Sequence, residues 1–464
     1  MQVRNKLNLF DFTMIVVSLV IGMGIFRTPA NVAKASPDTF LFFTAWIAGG
    51  LVALCGALTY AEIGSRLPVT GGYYKIFSYA YHPSVAFAIN CVILVSNASS
   101  LAAVALVGGE YITGIFIPLS RDLEWMKVAA NVQYLQKIHI AIAILAVLMF
   151  YGVNLAGLKM SAKTQNVLTV IKIVLVLLLI APVFFADGSA ATSLLPTTVS
   201  PTLREYVKAF GIGLVAVSFT YGGYQQTINF GAEVHQPAKN IPRGIFYGIT
   251  IIILLYLTIN YAYIKVIGFE TLHLPETKNI AAIMASKIFG INAERVLSGF
   301  LFLSVLAYVN VLLMSNPRVM FAMSEDNILP PVFKKRNPKT DVLTVSLSVF
   351  AAICILIIFW AKEFDRILSF TIFLDSFGMI LSAATIFILR KKTKHLDHTG
   401  IYKMKLFPLL PVIFIAAYVF VAISIALDYK SNQYAALIGL AVMAVFTALY
   451  FLLVQLKKNK SSNL

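Results

Sequence analysis

The sequence predicts an all-α integral membrane protein with about twelve transmembrane helices. Only 12% of its 464 residues are Asp, Glu, Lys or Arg, whereas 59% are hydrophobic, and this charged fraction is roughly half that of a soluble domain. The mean hydropathy is +0.83, and the uncharged apolar runs are long enough to cross a hydrocarbon core of about 30 Å. These observations exclude a soluble enzyme.

The apolar runs between charged or Pro/Gly-rich breaks define the predicted spans. They begin near Phe12, Phe40, Ser84, Ile140, Asn166, Ala209, Gly244, Val296, Val342, Ile367, Leu406 and Tyr434. We expect the first run to remain as a membrane helix, because it exceeds signal-peptide length and has no A-x-A-like cleavage site. An even number of spans places both termini on the same side of the membrane.

The basic residues predict which side that is. The net charge is +17, but the cations are scattered between apolar spans, so we predict the lipid bilayer and not nucleic acid as the macromolecular environment. In the twelve-span arrangement, 22 Lys and Arg residues fall on the side of the termini and 14 on the other side. Because cytoplasmic loops are enriched in Lys and Arg, we predict a multi-pass cytoplasmic-membrane protein with both termini in the cytoplasm.

The sequence gives no sign of catalytic chemistry. Cys55, Cys91 and Cys354 all fall inside apolar spans, with no spacing typical of a disulfide or a metal site. The patterns H-E-x-x-H, G-x-x-x-x-G-K-[ST], C-x-x-C and G-x-S-x-G do not occur. We therefore predict no enzyme, no catalytic residues, no cofactor and no metal ligands.

Two glycine pairs interrupt apolar spans at matched positions. Gly22 and Gly24 lie in span 1, and Gly222 and Gly223 lie in span 6, so each pair falls in the first span of a five-span half. Glycine weakens a helix by about 1 kcal/mol relative to alanine. Close helix packing would explain one pair, but matched breaks in two halves indicate a transport site, where free N–H and C=O groups hold a carboxylate and an ammonium.

Two ionisable residues lie deep inside apolar spans, where such residues are costly and are functional by default. Lys172 is in span 5 and Asp375 is in span 10. For Asp375, a polar cavity wall, a structural hydrogen bond and a coupling role all remain open. Near the outer ends of spans, we interpret Glu110 as an interfacial carboxylate. Arg27 could attract anionic substrate groups or close an outer gate, and the alternatives are a plain salt bridge or a solvated position.

Several motifs resemble those of the amino acid-polyamine-organocation (APC) superfamily, and most closely its L-type amino acid transporter branch. They are GMGIF (22–26), YAEIGSRLPVTGGYY (60–74), FTYGGYQ (219–225) and AEVHQPAKNIPRGI (232–245), with further similarity over 154–172 and 315–330. The resemblance implies the leucine-transporter (LeuT) fold. It consists of two inverted five-helix repeats (1–187 and 188–390) with broken helices 1 and 6, followed by two C-terminal helices and a cytoplasmic tail (391–464).

The resemblance also implies which residues form the substrate site. Backbone groups of Val20, Ile21, Gly22, Met23, Gly24 and Ile25, and of Phe219, Thr220, Tyr221 and Gly222, would bind an amino acid. Amides at the start of the outer half of span 1 would hold the carboxylate. Carbonyl groups at the ends of the inner half-helices of spans 1 and 6 would accept hydrogen bonds from the ammonium group. The Phe219 ring would close over the substrate, and Gly223, Tyr224 and Gln225 would line its side-chain pocket.

The chain departs from the family at two positions of the first motif. Met23 stands where many relatives have Ser or Thr, which removes a hydroxyl donor, and Arg27 stands where relatives often have an apolar residue. Lys172 stands where sodium-coupled relatives of the same fold bind sodium between spans 1, 5 and 8. Its ammonium would bridge span 1 to Ser304 or Asn310 of span 8, either as a fixed cation or as a proton carrier. Transport should then be sodium-independent.

We therefore predict a transporter of neutral L-amino acids that works by alternating access, as an exchanger or a proton symporter. A polyamine or cationic amino acid carrier is one alternative, and it would need an acidic group facing the pocket. A membrane sensor that binds an amino acid without moving it is another. We expect no disulfide-linked accessory subunit, because animal relatives use a cysteine between spans 3 and 4, and this chain has none between Cys91 and Cys354.

Overall fold

The computed structural model describes residues 7–116, 129–184, 202–273, 280–360, 364–393, 401–427 and 434–462, which form helices and two isolated β-bridges. The α-helices are α1 (Leu9–Val20), α2 (Gly24–Ala35), α3 (Thr39–Arg66), α4 (Gly72–Ala80), α5 (Pro83–Phe116), α6 (Ala129–Leu155), α7 (Leu158–Ile180), α8 (Leu203–Tyr221), α9 (Pro237–Ile267), α10 (Phe269–His273), α11 (Ile280–Phe289), α12 (Ile291–Glu325), α13 (Thr344–Trp360), α14 (Phe364–Lys392), α15 (Leu409–Leu427) and α16 (Ala435–Ser462). Short 3₁₀ turns connect several of them.

The helices agree with the predicted spans. Ten helical segments of the described ranges are long and apolar enough to cross a membrane, with α1 and α2 together forming the first. The two remaining predicted spans coincide with the shorter apolar helix α13 and with α8, the first part of the interrupted span 6. The prediction of an all-α, multi-span membrane protein is confirmed.

The interrupted helices lie in the interior of the molecule. Helix α1 packs against α7 and α9, α8 packs against α2 and α3, and α5 crosses the molecule in contact with α6, α12 and α14. In the most apolar stretch of α1 and α2, 78% of the residues are buried, compared with 6% in α16. The breaks are therefore shielded from the lipid, whereas α16 lies at the periphery.

A buried ionic cluster joins α3 to the other end of the chain. The carboxylate of Glu62 is inaccessible to solvent and pairs with Arg66 on its own helix and with Arg390 of α14, both at 2.7 Å. It also accepts a 2.9 Å hydrogen bond from the backbone N–H of Met404. Arg390 in turn lies over the ring of Phe407, 3.7 Å from its centroid. These contacts fasten the segment before α15 to α3 and α14.

Of the two predicted repeat boundaries, one lies outside the described residues and the other lies inside a helix. The boundary between residues 187 and 188 lies outside the described residues. The boundary between residues 390 and 391 falls in the last turn of α14. The division into inverted repeats therefore stays a prediction.

Candidate functional site

The interruption of span 1 is three residues long. Helix α1 ends at Val20, and the N–H of Gly22 turns back to the Val20 carbonyl at 2.7 Å. Helix α2 begins at Gly24, with Met23 at its N-cap and no capping hydrogen bond from that side chain. The first N–H groups of a helix have no partner within the helix. The N–H of Phe26 bonds to the Met23 carbonyl at 3.2 Å, which leaves the N–H groups of Gly24 and Ile25 for a carboxylate.

The interruption of span 6 follows Tyr221, where α8 ends, and it depends on glycine. Gly223 has a φ of +108°, and a Cβ atom there would lie 2.4 Å from the carbonyl oxygen of Leu19. Its N–H donates to Gln225 Oε1 at 2.9 Å. The chain then continues as 3₁₀ turns and not as an α-helix. Only glycine permits this backbone conformation and this close approach to α1.

The carbonyl end at span 6 belongs to α8, the half that precedes the break. With both termini in the cytoplasm, as predicted, the sixth span would run from the outside to the inside. In that orientation α8 would be the outer half of span 6 and not, as expected from the resemblance, an inner half.

Tyr256 of α9 joins the two broken helices. Its hydroxyl lies 3.0 Å from the Val20 carbonyl and 3.3 Å from the Thr220 carbonyl. Each carbonyl oxygen has two lone pairs, so both can still accept from an ammonium group. No motif in the sequence indicated Tyr256, which lies in an ordinary apolar span.

A cavity lies between the two interruptions. Nine of the thirteen predicted substrate-site residues line it: Val20, Gly22, Met23, Gly24, Phe219, Thr220, Gly222, Gly223 and Gln225. The other four do not. Tyr221 packs against Trp46, and Tyr224 packs against Tyr60 instead of lining the side-chain pocket. Ile21 and Ile25 are fully buried in the hydrophobic core.

The rest of the cavity lining comes mainly from helices other than the interrupted ones. Its residues are Asn97, Ser100 and Val104 of α5, Tyr308 of α12, Ile372, Asp375 and Met379 of α14, and Tyr418 of α15. Leu19, Ser218 and Gln226 complete the lining. Of all these, only Asp375 had a signal in the sequence, its charge inside an apolar span. It lies in the cavity wall and accepts a 2.7 Å hydrogen bond from Ser96 Oγ.

The ammonium group of Lys172 holds the carbonyl end of α1. Its Nζ donates to the Ile21 carbonyl at 2.6 Å and lies 3.3 Å from both the carbonyl and the hydroxyl of Ser18. The side chain is fully buried. The predicted contact between span 5 and the broken end of span 1 is therefore present.

The predicted bridge from Lys172 to span 8 is indirect. Ser304 is not among the described partners of Lys172 Nζ, which are Ser18 and Ile21, and its hydroxyl donates to the Phe300 carbonyl of its own helix. Asn310 is reached through two intermediates, since Gln165 bonds to the Ser18 hydroxyl and accepts from Asn310 Nδ2 at 2.7 Å. Side-chain amides thus connect α1, α7 and α12.

Ion pairs flank the cavity region on two sides. Arg27 of α2 lies 3.3 Å from Glu110 of α5, and their side chains are 11% and 34% exposed. Arg27 therefore forms a salt bridge in this structure, and its role in an outer gate stays a prediction. Arg318 of α12 pairs at 2.7 Å with Glu233, which follows the 3₁₀ turns of span 6. No sequence pattern indicated this second pair.

A cavity between two matched helix interruptions, inside a multi-span helical protein, is the site of a membrane solute transporter. A sequence profile of the family described as amino acid permease matches residues 7–450. The chain belongs to this family, and its membership of the APC superfamily, close to the L-type branch, is confirmed. The proteins of this family that it resembles are transporters and not enzymes.

Three relatives show the range of this similarity. The serine/threonine exchanger SteT of Bacillus subtilis is 27% identical over 99% of this chain and 98% of its own length. The methylthioribose transporter of the same organism is 25% identical over 73% of this chain and 71% of its own length. The large neutral amino acids transporter small subunit 2 of Rattus norvegicus is 25% identical over 97% of this chain and 80% of its own length.

Proposed function

We propose that this protein carries neutral L-amino acids across the cytoplasmic membrane by alternating access. One observation carries the proposal: the first N–H groups of α2 and the carbonyls of Val20 and Thr220 meet at one cavity. Helix N-termini favour an anion, and free carbonyl oxygens favour a cation. The two ends together match the carboxylate and the ammonium of an α-amino acid.

The neutral charge of the substrate is supported by the rest of the lining. Apart from Asp375, the described residues of the cavity wall carry no full charge. Two of the relatives are named for serine and threonine and for large neutral amino acids. A third is named for methylthioribose, so the requirement for the two α-groups needs a direct test.

Counterflow in proteoliposomes provides that test. Proteoliposomes that contain the purified protein are loaded with an unlabelled neutral amino acid. Uptake of the same amino acid in labelled form is then measured in the presence of its methyl ester or its N-acetyl derivative. We expect neither derivative to compete, because each lacks one of the two charges. Strong competition by either one would contradict the site. Binding without counterflow would instead identify a sensor.

The coupling mode follows from Lys172. Its Nζ donates to the Ile21 carbonyl at the end of α1, where an ammonium group would take the place of a sodium ion, so we expect counterflow to be unchanged when sodium is replaced by choline. An imposed pH gradient then separates the two remaining modes. Accumulation of the amino acid driven by the pH gradient indicates proton symport. Uptake that requires an amino acid inside the vesicles, and does not respond to the pH gradient, indicates exchange. A strict sodium requirement would contradict the role of Lys172.

A carrier of cationic amino acids or polyamines is the second candidate, and Asp375 is the observation that favours it. This side chain places a carboxyl group in the cavity wall, which is the feature that a cationic substrate requires. Competition by ornithine and putrescine against a labelled neutral amino acid distinguishes the candidates. Preferential inhibition by these two compounds would replace the neutral assignment.

We further propose that one chain is sufficient, with both termini in the cytoplasm and with two inverted repeats over 1–187 and 188–390. The part of the loop between spans 3 and 4 from 117 to 128 lies outside the described residues, but the sequence has no cysteine there. Counterflow by the purified single chain tests sufficiency. Accessibility of terminal tags in right-side-out vesicles tests the orientation. A requirement for a second polypeptide, or tags exposed outside, would contradict these proposals.

A further inference from the structure

The carboxyl group of Asp375 has no task in binding the two α-groups of a substrate. It belongs to α14 and lies in the cavity wall, where it is the only Asp, Glu, Lys or Arg side chain among the described lining residues. Its partner on the protein is the hydroxyl of Ser96, at 2.7 Å. Ionisable groups at this depth are costly. A carboxylate can accept about four hydrogen bonds, so Asp375 retains capacity for a donor on the substrate.

We propose that Asp375 selects substrates by accepting a hydrogen bond from their side chain. The protein then prefers L-amino acids with a short hydroxylated side chain to those with an aliphatic side chain of the same shape. This inference rests on the proposed function, because it concerns the same cavity and assumes that the α-groups are bound at the ends of α1, α2 and α8.

The orientation of the substrate is inferred from the residues that line the cavity. The interrupted spans supply one part of the lining, and α5, α12, α14 and α15 supply the other part. An amino acid whose α-groups occupy the helix ends has its side chain left to contact the other part. The hydroxyls of Ser100 and Tyr308 in that part are already bonded to each other at 2.7 Å. Asp375 is therefore the strongest remaining acceptor for a donor on the side chain.

The size of the cavity favours a short side chain. Its volume is about 50 Å³, which corresponds to a few water molecules, and a lysine side chain needs more room. An aliphatic side chain would remove water from the carboxylate and offer no donor in return. A site built to bond a hydroxyl discriminates strongly against the analogue that lacks it. Threonine and valine, which have the same shape, therefore form the most informative pair.

The test measures competition by threonine and valine for counterflow of labelled L-alanine, in wild type and in variants of the full-length chain. In wild type, we expect threonine to compete at least about tenfold better, as for a hydrogen bond to a charged acceptor. In Asp375→Leu, valine should compete as well as threonine or better. In Asp375→Asn, which keeps the shape and one acceptor oxygen, the ratio should fall to an intermediate value. Ser376→Ala is the matched control and should keep the wild-type ratio, because Ser376 bonds only within its own helix and does not line the cavity.

The outcomes separate this inference from the proposed function. Counterflow in wild type with equal competition by threonine and valine, or a ratio unchanged in both Asp375 variants, overturns the inference and leaves the function. Better competition by ornithine than by threonine, lost in Asp375→Asn, overturns it in favour of a cationic substrate. No counterflow with any amino acid overturns both. If Asp375→Leu does not fold, the threonine-to-valine competition ratio of Asp375→Asn still tests the inference. The second measurement is then how much threonine and valine each stabilise the detergent-solubilised protein against unfolding.

Discussion

The two interrupted spans have matching sequence signals but are held by different means. After the break in span 1, the chain resumes as a regular α-helix, and the exposed carbonyl of Ile21 is bound by the buried ammonium of Lys172. After the break in span 6, the chain resumes as 3₁₀ turns, and Gly223 and an amide side chain fix the local geometry. The first break therefore depends on a charged side chain and the second on the backbone freedom of glycine.

The largest effect should come from filling the cavity at the second break. Gly222 lines it, and even a Cβ atom there would lie 3.2 Å from the Ser218 carbonyl. We expect Gly222→Leu to reduce uptake by about a hundredfold or more, since overpacking costs about 1–3 kcal/mol and the substrate loses its space. Gly152→Leu is the matched control, because nothing lies within 4 Å of the added Cβ atom. Equal uptake by both variants, at equal amounts in the membrane, would contradict the assigned cavity.

Removal of the ammonium tests the first break. Lys172→Ala leaves the Ile21 carbonyl without its buried donor, at a cost of about 1–3 kcal/mol, so we expect transport to fall by about tenfold or more. Lys163→Ala removes an exposed lysine from the same helix and should transport normally. Initial rates in proteoliposomes give the comparison. Normal rates in Lys172→Ala would show that neither break needs a charge.

A smaller effect should follow from uncoupling the two breaks from each other. Tyr256→Phe removes the hydroxyl that contacts the carbonyls of both broken helices, worth about 1 kcal/mol, or about a fivefold change in rate. Tyr261→Phe, on the same helix but half exposed, is the control. A larger loss in Tyr261→Phe than in Tyr256→Phe would indicate that the shared hydroxyl has no role.

The smallest effect is expected outside the two breaks. Glu110→Gln removes the charge that pairs with Arg27 at a partly exposed site, where an ion pair contributes about 0–1 kcal/mol. Uptake should change by less than about fivefold, and the difference should shrink as the salt concentration rises. Glu270→Gln, exposed on α10, provides the comparison. Complete loss of uptake in Glu110→Gln would instead assign the pair to the essential machinery.

The sequence predicted the features that have a local signal. Continuous apolar runs located the spans, and the glycine pairs located both breaks, because a missing side chain weakens a helix where it stands. Charge inside an apolar run also identified Lys172 and Asp375.

The remaining features depend on contacts between distant parts of the chain. Tyr256 looks like any other aromatic residue of an apolar span, and its role arises only where α9 meets two helix ends at once. The same is true of Ser100 and Tyr308, which line the cavity from α5 and α12. The prediction of a direct hydrogen bond from Lys172 to span 8 was wrong, because Ser18 and Gln165 lie between them. Sequence spacing contains no information about such intermediates.

The buried Glu62 cluster restricts which helices can separate during a transport cycle. Pulling α14 away from α3 would break the pair with Arg390 and leave Arg66 as the remaining cationic partner of the buried carboxylate, at a cost below the roughly 3–5 kcal/mol of a buried charge with no partner. The N–H of Met404 would also lose its acceptor. Near this cluster, α3, α14 and the segment leading into α15 therefore behave as one rigid body, and any rocking motion that opens the cavity has its hinge elsewhere.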